Sequence, residues 1–259
     1  RLLAAFAAHR VPEVYGFVNT GRTIDGQPAD APLRAWIDAG HPLGNHTQSH
    51  GRMAEMGVPA FLADLARNDE ALAAFVPDLA TRRVFRYPFL FEGADAPSTR
   101  AVRKYLADND YRIAEVTIDF YDWAFNPPFV RCLAIDDRNA IDALRQTYVH
   151  HAIRMLQWAD EAAQRAWGRP VPHILLLHVG VFGAEMIEPV LTAYEAHGVE
   201  WITLDEAMKD PAYGDLPVSD GVTQGTLIEA LVDARGVDHP PWPEQPEALL
   251  GALCPKGAT

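Results

Sequence analysis

Residues 173–203 read HILLLHVGVFGAEMIEPVLTAYEAHGVEWIT, and this stretch decides the fold class. The apolar run His173–His178 is typical of a buried strand, Ala184–His197 predicts a helix, and Val199–Thr203 predicts a second strand. Strands that alternate with helices indicate a mostly parallel sheet covered by helices, either open or closed into a barrel. The chain is therefore predicted to be an α/β protein.

The same alternation runs through the rest of the chain. Strands are predicted over Val14–Val18, Val84–Arg86 and Tyr111–Val116. A further short strand is predicted to lead from the helix Pro32–Ala39 into the segment GNHTQSH. Helices are predicted over residues 1–10, Pro32–Ala39, Pro59–Phe75, Ser98–Asp108 (with Ser98 as N-cap) and Asp137–Trp167. Residues 209–259 are rich in proline and glycine, so we interpret them as a C-terminal extension, without strands, packed on a domain of residues 1–208.

The composition narrows the classes of partner. With 259 residues, 49% of them hydrophobic, the chain is long enough for one large α/β domain or two smaller ones. A net charge of −13 argues against nucleic acid and anionic membranes as partners. No apolar run approaches the length of about 18 residues that a transmembrane helix needs. Cys132 and Cys254 can form one disulfide bond or remain two free thiols.

Polar clusters follow four of the predicted strands. They are GNHTQSH (44–50), FRYPF (85–89), TIDFYDW (117–123) and LLLHVG (175–180). Taken singly, each has an ordinary structural interpretation: Arg86 as a surface cation, or His178 as a core histidine. In parallel α/β folds, however, functional groups gather at the carboxyl ends of the strands, so the shared placement favours a site. His46 and His50, four positions apart, would then bind one metal ion from one face of a helical turn.

The order of these clusters resembles that of the NodB-like polysaccharide deacetylases, carbohydrate esterase family four. The segments HTQSH, RYPF, DFYDW and LLH match four of the five family motifs, H-[ST]-x-x-H, R-x-P-[FY], D-x-x-D-W and L-x-H. The resemblance covers residues 1–208. It implies a distorted (β/α) barrel of the NodB-homology type and a metal-dependent hydrolase that removes N-acetyl groups from an amino-sugar polymer or oligosaccharide.

The resemblance also implies a role for each matching residue. His46 and His50 would bind a divalent metal, with Zn2+ the expected ion, and Arg86 would pair with the carboxylate of the catalytic base. Phe89 would offer its backbone N–H to the oxyanion, and Trp123 with Leu176 would line the acetyl pocket. His178 would be the general acid, with Asp122 keeping its imidazole protonated near neutral pH. All these groups would then lie at a common barrel mouth.

The fifth motif, T-[FI]-D-D, is absent from this sequence. In the family it ends the first strand and supplies the catalytic base and a third metal ligand. The family places it before the helix that opens this chain, so we expect that strand and its aspartates to precede Arg1. Any signal peptide for export would lie there too, so the localisation also stays open. Three alternatives stay open: an O-acetyl carbohydrate esterase, a non-catalytic carbohydrate-binding homologue, and an amidohydrolase that acts on a small cyclic or linear amide. The glycan, the metal and the oligomeric state also stay open.

Overall fold

The structure is a computed structural model that describes residues 1–24, 26–76, 83–214 and 216–254. The helices are α1 (Leu2–Ala8), α2 (Asp30–Asp38), α3 (Met53–Met56), α4 (Val58–Leu72), α5 (Ala96–Asp108), α6 (Asn126–Ala134), α7 (Arg138–Trp167), α8 (Val181–Ala196), α9 (Leu204–Ala207), α10 (Leu227–Arg235) and α11 (Glu247–Ala252). The strands are β1 (Gly16–Val18), β2 (Thr23–Ile24), β3 (Gln27–Pro28), β4 (Leu43–Asn45), β5 (Val84–Phe85), β6 (Phe91–Gly93), β7 (Arg112–Ile113) and β8 (Thr223–Gln224).

The chain forms two compact units. Unit 1 comprises Arg1–Pro12, Thr117–Ile202 and Asp238–Thr259, and unit 2 comprises Glu13–Val116 and Thr203–Val237. Among the helices that the structure describes, none has the length and apolar character needed to cross a membrane.

Unit 2 is built on a four-stranded parallel sheet in the order β1–β4–β5–β7. Helices α2, α4 and α5 connect successive strands, as parallel pairing requires. The buried faces of α4 and α5 supply Phe61, Leu65, Val102 and Leu106, which pack around Phe85 of β5. The predicted α/β class with a parallel sheet is confirmed.

Two local features of unit 2 differ from the sequence prediction. Helix α5 begins at Ala96, and its N-cap is Asp95 rather than Ser98. Ser98 completes a capping box, because each of the two side chains accepts the backbone N–H of the other residue. The segment after residue 208, predicted without strands, contains β8. It pairs antiparallel with β6, aligning Gln224 with Phe91.

Unit 1 is mainly helical. The side chains of Phe125, Phe129, Tyr148 and Phe182 form a buried aromatic cluster. The predicted strand His173–His178 contributes one parallel bridge, Leu175 to Ile118, and Val199–Thr203 is not a strand. An apolar run predicts burial, but a ladder also requires a neighbouring backbone in register.

Cys132 of α6 and Cys254 form a disulfide bond, with an S–S distance of 2.15 Å and a Cα–Cα distance of 5.3 Å. This decides between the two states that the sequence left open. The bond ties the end of the described chain to α6, where the Arg131 guanidinium also donates to the Cys254 and Leu253 carbonyls.

Candidate functional site

The segment GNHTQSH ends strand β4 at Asn45 and continues from His46 as a loop, so the predicted helical turn is wrong. Thr47 and His50 both have left-handed backbone conformations, with φ of 61° and 56°. Such values are uncommon for residues other than glycine and persist where the surroundings hold them. The loop nevertheless brings the two imidazoles together, with ring centroids 4.9 Å apart.

A buried amide network holds the start of this loop. The Asn45 side chain accepts from the Thr47 N–H at 2.8 Å and from the Asn68 amide at 2.9 Å. The Asn68 amide also donates to the Val18 carbonyl at 2.8 Å. The Asn19 amide donates to the His46 and Thr47 carbonyls. Two segments that are distant in sequence, around Asn19 and Asn68, therefore join Asn45 in fixing the backbone that carries His46.

Asp64 of α4 anchors the other end of the loop. Its carboxylate accepts from both the backbone N–H and the hydroxyl of Ser49, each at 2.9 Å, and from Arg67 at 2.8 Å. Burial alone would raise the pKa of Asp64, but the hydrogen bonds from Ser49 and the Arg67 charge bring this pKa below its ordinary value. A charged carboxylate thus orients the turn leading to His50.

The sequence prediction missed both helix residues that support this loop. Asp64 and Asn68 lie on the buried face of α4, among Phe61, Leu65 and Leu72. The signal was present: two polar residues, four positions apart, interrupt an otherwise apolar helix face. Buried polar groups need hydrogen-bond partners, so that pattern indicates a supporting role.

His46 is oriented as metal-binding histidines usually are. Its Nδ1 lies 2.8 Å from the Arg86 carbonyl oxygen, which can only accept a hydrogen bond, so Nδ1 carries the proton and Nε2 the lone pair. With metal–nitrogen bonds of about 2.1 Å, one ion would lie about 3 Å from each ring centroid, compatible with the observed ring separation. Within the described part of the chain, no third His, Cys, Asp or Glu joins the two to complete a site.

Arg86 and Phe89 lie in the loop after β5, in the same unit as the two histidines. Arg86 is 7% exposed, so it is not a surface cation. Its guanidinium stacks 4.2 Å from the Phe17 ring centroid and donates to the Ala114 carbonyl. Phe89 has φ of 59°, and its ring lies against His50, 4.4 Å between centroids, and against the Arg52 guanidinium.

A buried cluster of charges lies near this loop. Glu92 of β6 pairs with Arg103 of α5 at 2.8 Å. Glu115, which follows β7, has a carboxylate oxygen, Oε1, with no hydrogen-bond partner among the described residues. Burial, followed by the charge of Glu92, raises the pKa of Glu115 to about 8. Burial also raises the pKa of the Tyr87 hydroxyl, with a further contribution from Glu92.

In unit 1, Asp122 and His178 form a close pair. One oxygen of the Asp122 carboxylate lies 2.7 Å from His178 Nδ1, and the other accepts the His178 backbone N–H at 2.7 Å. Asp122 is 4% exposed, whereas the His178 side chain is 45% exposed. A buried carboxylate therefore fixes the orientation of a partly exposed imidazole.

The two other predicted site residues of unit 1, Trp123 and Leu176, lie within two positions of Asp122 and His178 in the sequence. Trp123 follows Asp122 in a 3-10 helix, Asp122–Phe125, and its side chain is exposed. The Leu176 N–H donates to the Ile118 carbonyl at 2.9 Å. The structure thus groups His46, His50, Arg86 and Phe89 in unit 2, and Asp122, Trp123, Leu176 and His178 in unit 1.

Comparison with protein families gives a match in the first part of the chain. Residues 1–114 match the family model described as polysaccharide deacetylase. The resemblance to this family is confirmed. The matched residues contain His46, His50, Arg86 and Phe89, while the Asp122–His178 pair lies beyond them. Among curated proteins, none matches this chain significantly.

Solved structures resemble the chain in fold. A polysaccharide deacetylase from Bacillus cereus is 14% identical, with a TM-score of 0.56 over 77% of this chain and 82% of that one. A CE4 family pseudoenzyme from Bacillus anthracis is 17% identical, with a TM-score of 0.52 over 80% of this chain and 59% of that one. A family 4 acetyl xylan esterase from Clostridium thermocellum, in complex with a cobalt ion, is 18% identical, with a TM-score of 0.50 over 85% of this chain and 89% of that one. At these identities the likeness shows the fold alone, which is that of the NodB-type deacetylases.

Proposed function

We propose that this protein is a divalent-metal-dependent hydrolase that removes N-acetyl groups from an amino-sugar polymer or oligosaccharide. The observation that carries the proposal is the Asp122–His178 pair, because it joins two of the family motifs across 56 positions of sequence. The family match over residues 1–114 supports it independently, since that part contains the two neighbouring imidazoles.

Cleaving an amide requires an electrophile for the carbonyl oxygen, a nucleophilic water and an acid for the departing amine. A bound divalent ion, with Zn2+ the expected one, would supply the electrophile and lower the pKa of its water. His46 and His50 would hold this ion, and catalytic zinc usually takes a third protein ligand.

His178 would protonate the departing amine. Its Nδ1 is held by the buried Asp122 carboxylate, and the partly exposed ring would present Nε2 to the substrate. A carboxylate beside an imidazole also stabilises its protonated form, which is the form that an acid needs. Asp122 thereby orients the ring and favours its charge.

The other residues would bind and polarise the acetyl group. The Phe89 backbone N–H would donate to the oxyanion, in a loop whose left-handed backbone is fixed by packing against His50 and Arg52. Arg86, buried against Phe17, would orient the base carboxylate. Trp123 and Leu176 would line the pocket for the methyl group.

Acetate release from a tetramer of N-acetylglucosamine tests the proposal. In the metal-loaded protein, His178→Ala should lower kcat by about 100-fold to 10,000-fold, the usual contribution of a general acid. His197→Ala is the matched control, because His197 is exposed at the C-terminal end of α8 and bonds only locally, to the Ala193 carbonyl, in the contacts seen. An unchanged kcat in His178→Ala would refute the acid role.

Metal content tests the ligand assignment separately. His46→Ala and His50→Ala should each lose bound zinc on dialysis, whereas His197→Ala should retain the wild-type content. Equal metal content in all four proteins would remove the two imidazoles from the proposal. Tetramer binding without acetate release by the metal-loaded wild type would instead identify a non-catalytic carbohydrate-binding protein.

A panel of acetylated substrates distinguishes amide from ester hydrolysis. An alkoxide leaving group depends less on an acid than an amine does, so His178→Ala should impair N-deacetylation more than O-deacetylation. A wild type active only on O-acetyl sugars would show a carbohydrate esterase.

A further inference from the structure

The loop after β5 has two consecutive residues in the left-handed region. Phe89 has φ of 59° and Leu90 has φ of 48°. This backbone conformation is unfavourable for residues that carry a Cβ, whereas glycine adopts it freely. Such conformations persist only where the surrounding structure holds them. The loop therefore needs contacts that keep it in this shape.

Two restraints act within the loop itself. The Leu90 N–H donates to the Tyr87 carbonyl at 3.2 Å. Pro88 lies between these two residues, and its ring fixes its own φ. Neither restraint involves the carbonyl groups of the two strained residues, Phe89 and Leu90.

Both of those carbonyl groups accept hydrogen bonds from the C-terminal part of unit 2. The Gly225 N–H donates to the Leu90 carbonyl at 3.0 Å. The Gln224 side-chain amide donates to the Phe89 carbonyl at 3.3 Å, across 135 positions of sequence. Gln224 is the last residue of β8, and β8 pairs with β6, which begins directly after Leu90. The end of β8 therefore holds the strained part of the loop.

The segment that contains β8 is itself anchored in unit 2. Thr223 is buried, and its hydroxyl lies 3.5 Å from that of Thr99 on α5. Just beyond β8, the Leu227 N–H donates to the Val116 carbonyl at 2.8 Å. Helix α10 follows, and its buried face consists of Leu227, Ile228, Leu231 and Val232. Gln224 thus extends from a backbone that is fixed on both sides.

A glycine sets the turn between β8 and α10. Gly225 has φ of 104°, and a Cβ at this position would lie 2.6 Å from Oε2 of Glu229. Only glycine fits this conformation and this space without displacement of a neighbour. The turn places the Gly225 N–H and the Gln224 amide on two successive carbonyl groups of the loop.

We propose that residues 223–225 position the Phe89 N–H for the oxyanion, with Gln224 as a positioning residue of the reaction. The inference rests on the proposed function, which assigns that N–H to the oxyanion. It extends the site to a segment that lies outside residues 1–114, the part that matches the family model.

The planarity of the peptide bond connects the two groups. The Phe89 carbonyl and the Leu90 N–H belong to one peptide plane, which Gln224 and Tyr87 hold from its two ends. The plane that contains the Phe89 N–H is joined to it through the single torsion φ of Phe89. An oxyanion donor is effective when its direction is fixed before charge develops. Restraint of the neighbouring plane preserves that direction.

Acetate release from the tetramer of N-acetylglucosamine by the metal-loaded protein tests the inference. Gln224→Ala should lower kcat by about threefold to tenfold, the factor that one hydrogen bond supplies. KM should stay unchanged, because the oxyanion exists only in the transition state. Gln224→Glu should lower kcat as much at neutral pH, because a carboxylate has the shape of the amide but cannot donate.

Two further variants separate positioning from a general effect on the fold. Gln224→Lys retains a donor at this position, so it should keep the wild-type kcat. Val222→Ala is the matched control, because Val222 is exposed and lies next to β8, and its kcat and KM should equal those of the wild type.

Hydrogen exchange of the Leu90 N–H, measured by NMR in the metal-loaded protein without substrate, distinguishes this inference from the proposed function. Exchange should be about threefold to tenfold faster in Gln224→Ala and Gln224→Glu than in the wild type, and unchanged in Gln224→Lys. That result supports the positioning contact even if no protein releases acetate. Equal exchange rates in the wild type and Gln224→Ala overturn the inference. An active wild type whose kcat is unchanged by Gln224→Ala also overturns it, while the proposed function stands.

Discussion

Replacing Glu115 by glutamine should stabilise the protein at alkaline pH. Glu115 is 8% exposed and lies in unit 2 after β7. Burial and the charge of Glu92 raise the pKa of its carboxyl to about 8, although the charges of Arg103 and Arg86 oppose this shift. Below that pH the folded protein therefore keeps this carboxyl protonated.

The size of the effect follows from the linkage between proton binding and folding. The ordinary pKa is 4.5, so as the pH rises the unfolded chain loses this proton before the folded protein does. The folded state binds more protons between pH 4.5 and about 8, and the free energy of unfolding falls across that window. The slope approaches about 1.4 kcal/mol per pH unit, and the full loss is about 5 kcal/mol.

Glutamine resembles the protonated carboxyl in shape and carries no charge at any of these pH values. Glu115→Gln and the wild type should therefore have similar unfolding free energies near pH 4.5. The variant should become progressively more stable up to about pH 8, above which the difference is constant.

Urea denaturation followed by circular dichroism, repeated between about pH 4 and about pH 9, measures this difference. Glu70→Gln is the matched control, because Glu70 is exposed on α4 of the same unit, and its curve should run parallel to that of the wild type. A difference between Glu115→Gln and the wild type that does not vary with pH would refute the reasoning, since it would show that folding does not shift the pKa of Glu115.

Two further predictions concern the disulfide bond and the hydrogen bonds of Asp64 to the histidine loop. Cys132→Ser should lower the free energy of unfolding by about 5 kcal/mol in the chain-entropy model, and Cys254→Ser should lower it by the same amount. The double variant should lose no more than either single variant, because both substitutions remove the same bond. Denaturation with and without reductant measures these losses, and additive losses in the double variant would contradict the prediction. Asp64→Ala should weaken zinc binding by about 10-fold to 100-fold, because Ser49 would lose both hydrogen bonds to the Asp64 carboxylate and the turn leading to His50 would be less firmly held. Calorimetry measures that affinity, Asp108→Ala on α5 is the exposed control, and equal affinities would show that Asp64 does not support the histidines.

The helices were the part of the fold that the sequence predicted best. Apolar residues at helical spacing predict α4 and α5 with ends within three residues of those observed. The N-cap of α5 was harder to predict, because Asp95 and Ser98 are both good capping residues and the local geometry decides between them.

The strands and the histidine loop could be predicted only in part. His173–His178 has the composition of a buried strand, yet a single bridge forms, because pairing depends on a neighbour that the local sequence does not specify. The spacing of His46 and His50 suggested a helix, whereas left-handed residues and contacts with Asn45 and Asp64 create the loop. These partners lie outside any short window of sequence.

The sequence by itself determined the α/β class and the residue types available for chemistry, because side-chain periodicity and motif order are properties of the local chain. Only the tertiary structure decided which polar groups meet. It pairs Asp122 with His178, joins Cys132 to Cys254 and buries Glu115 beside Glu92. Hydrogen bonds, disulfides and pKa shifts depend on distances of a few ångströms between residues far apart in the chain, and folding alone sets those distances.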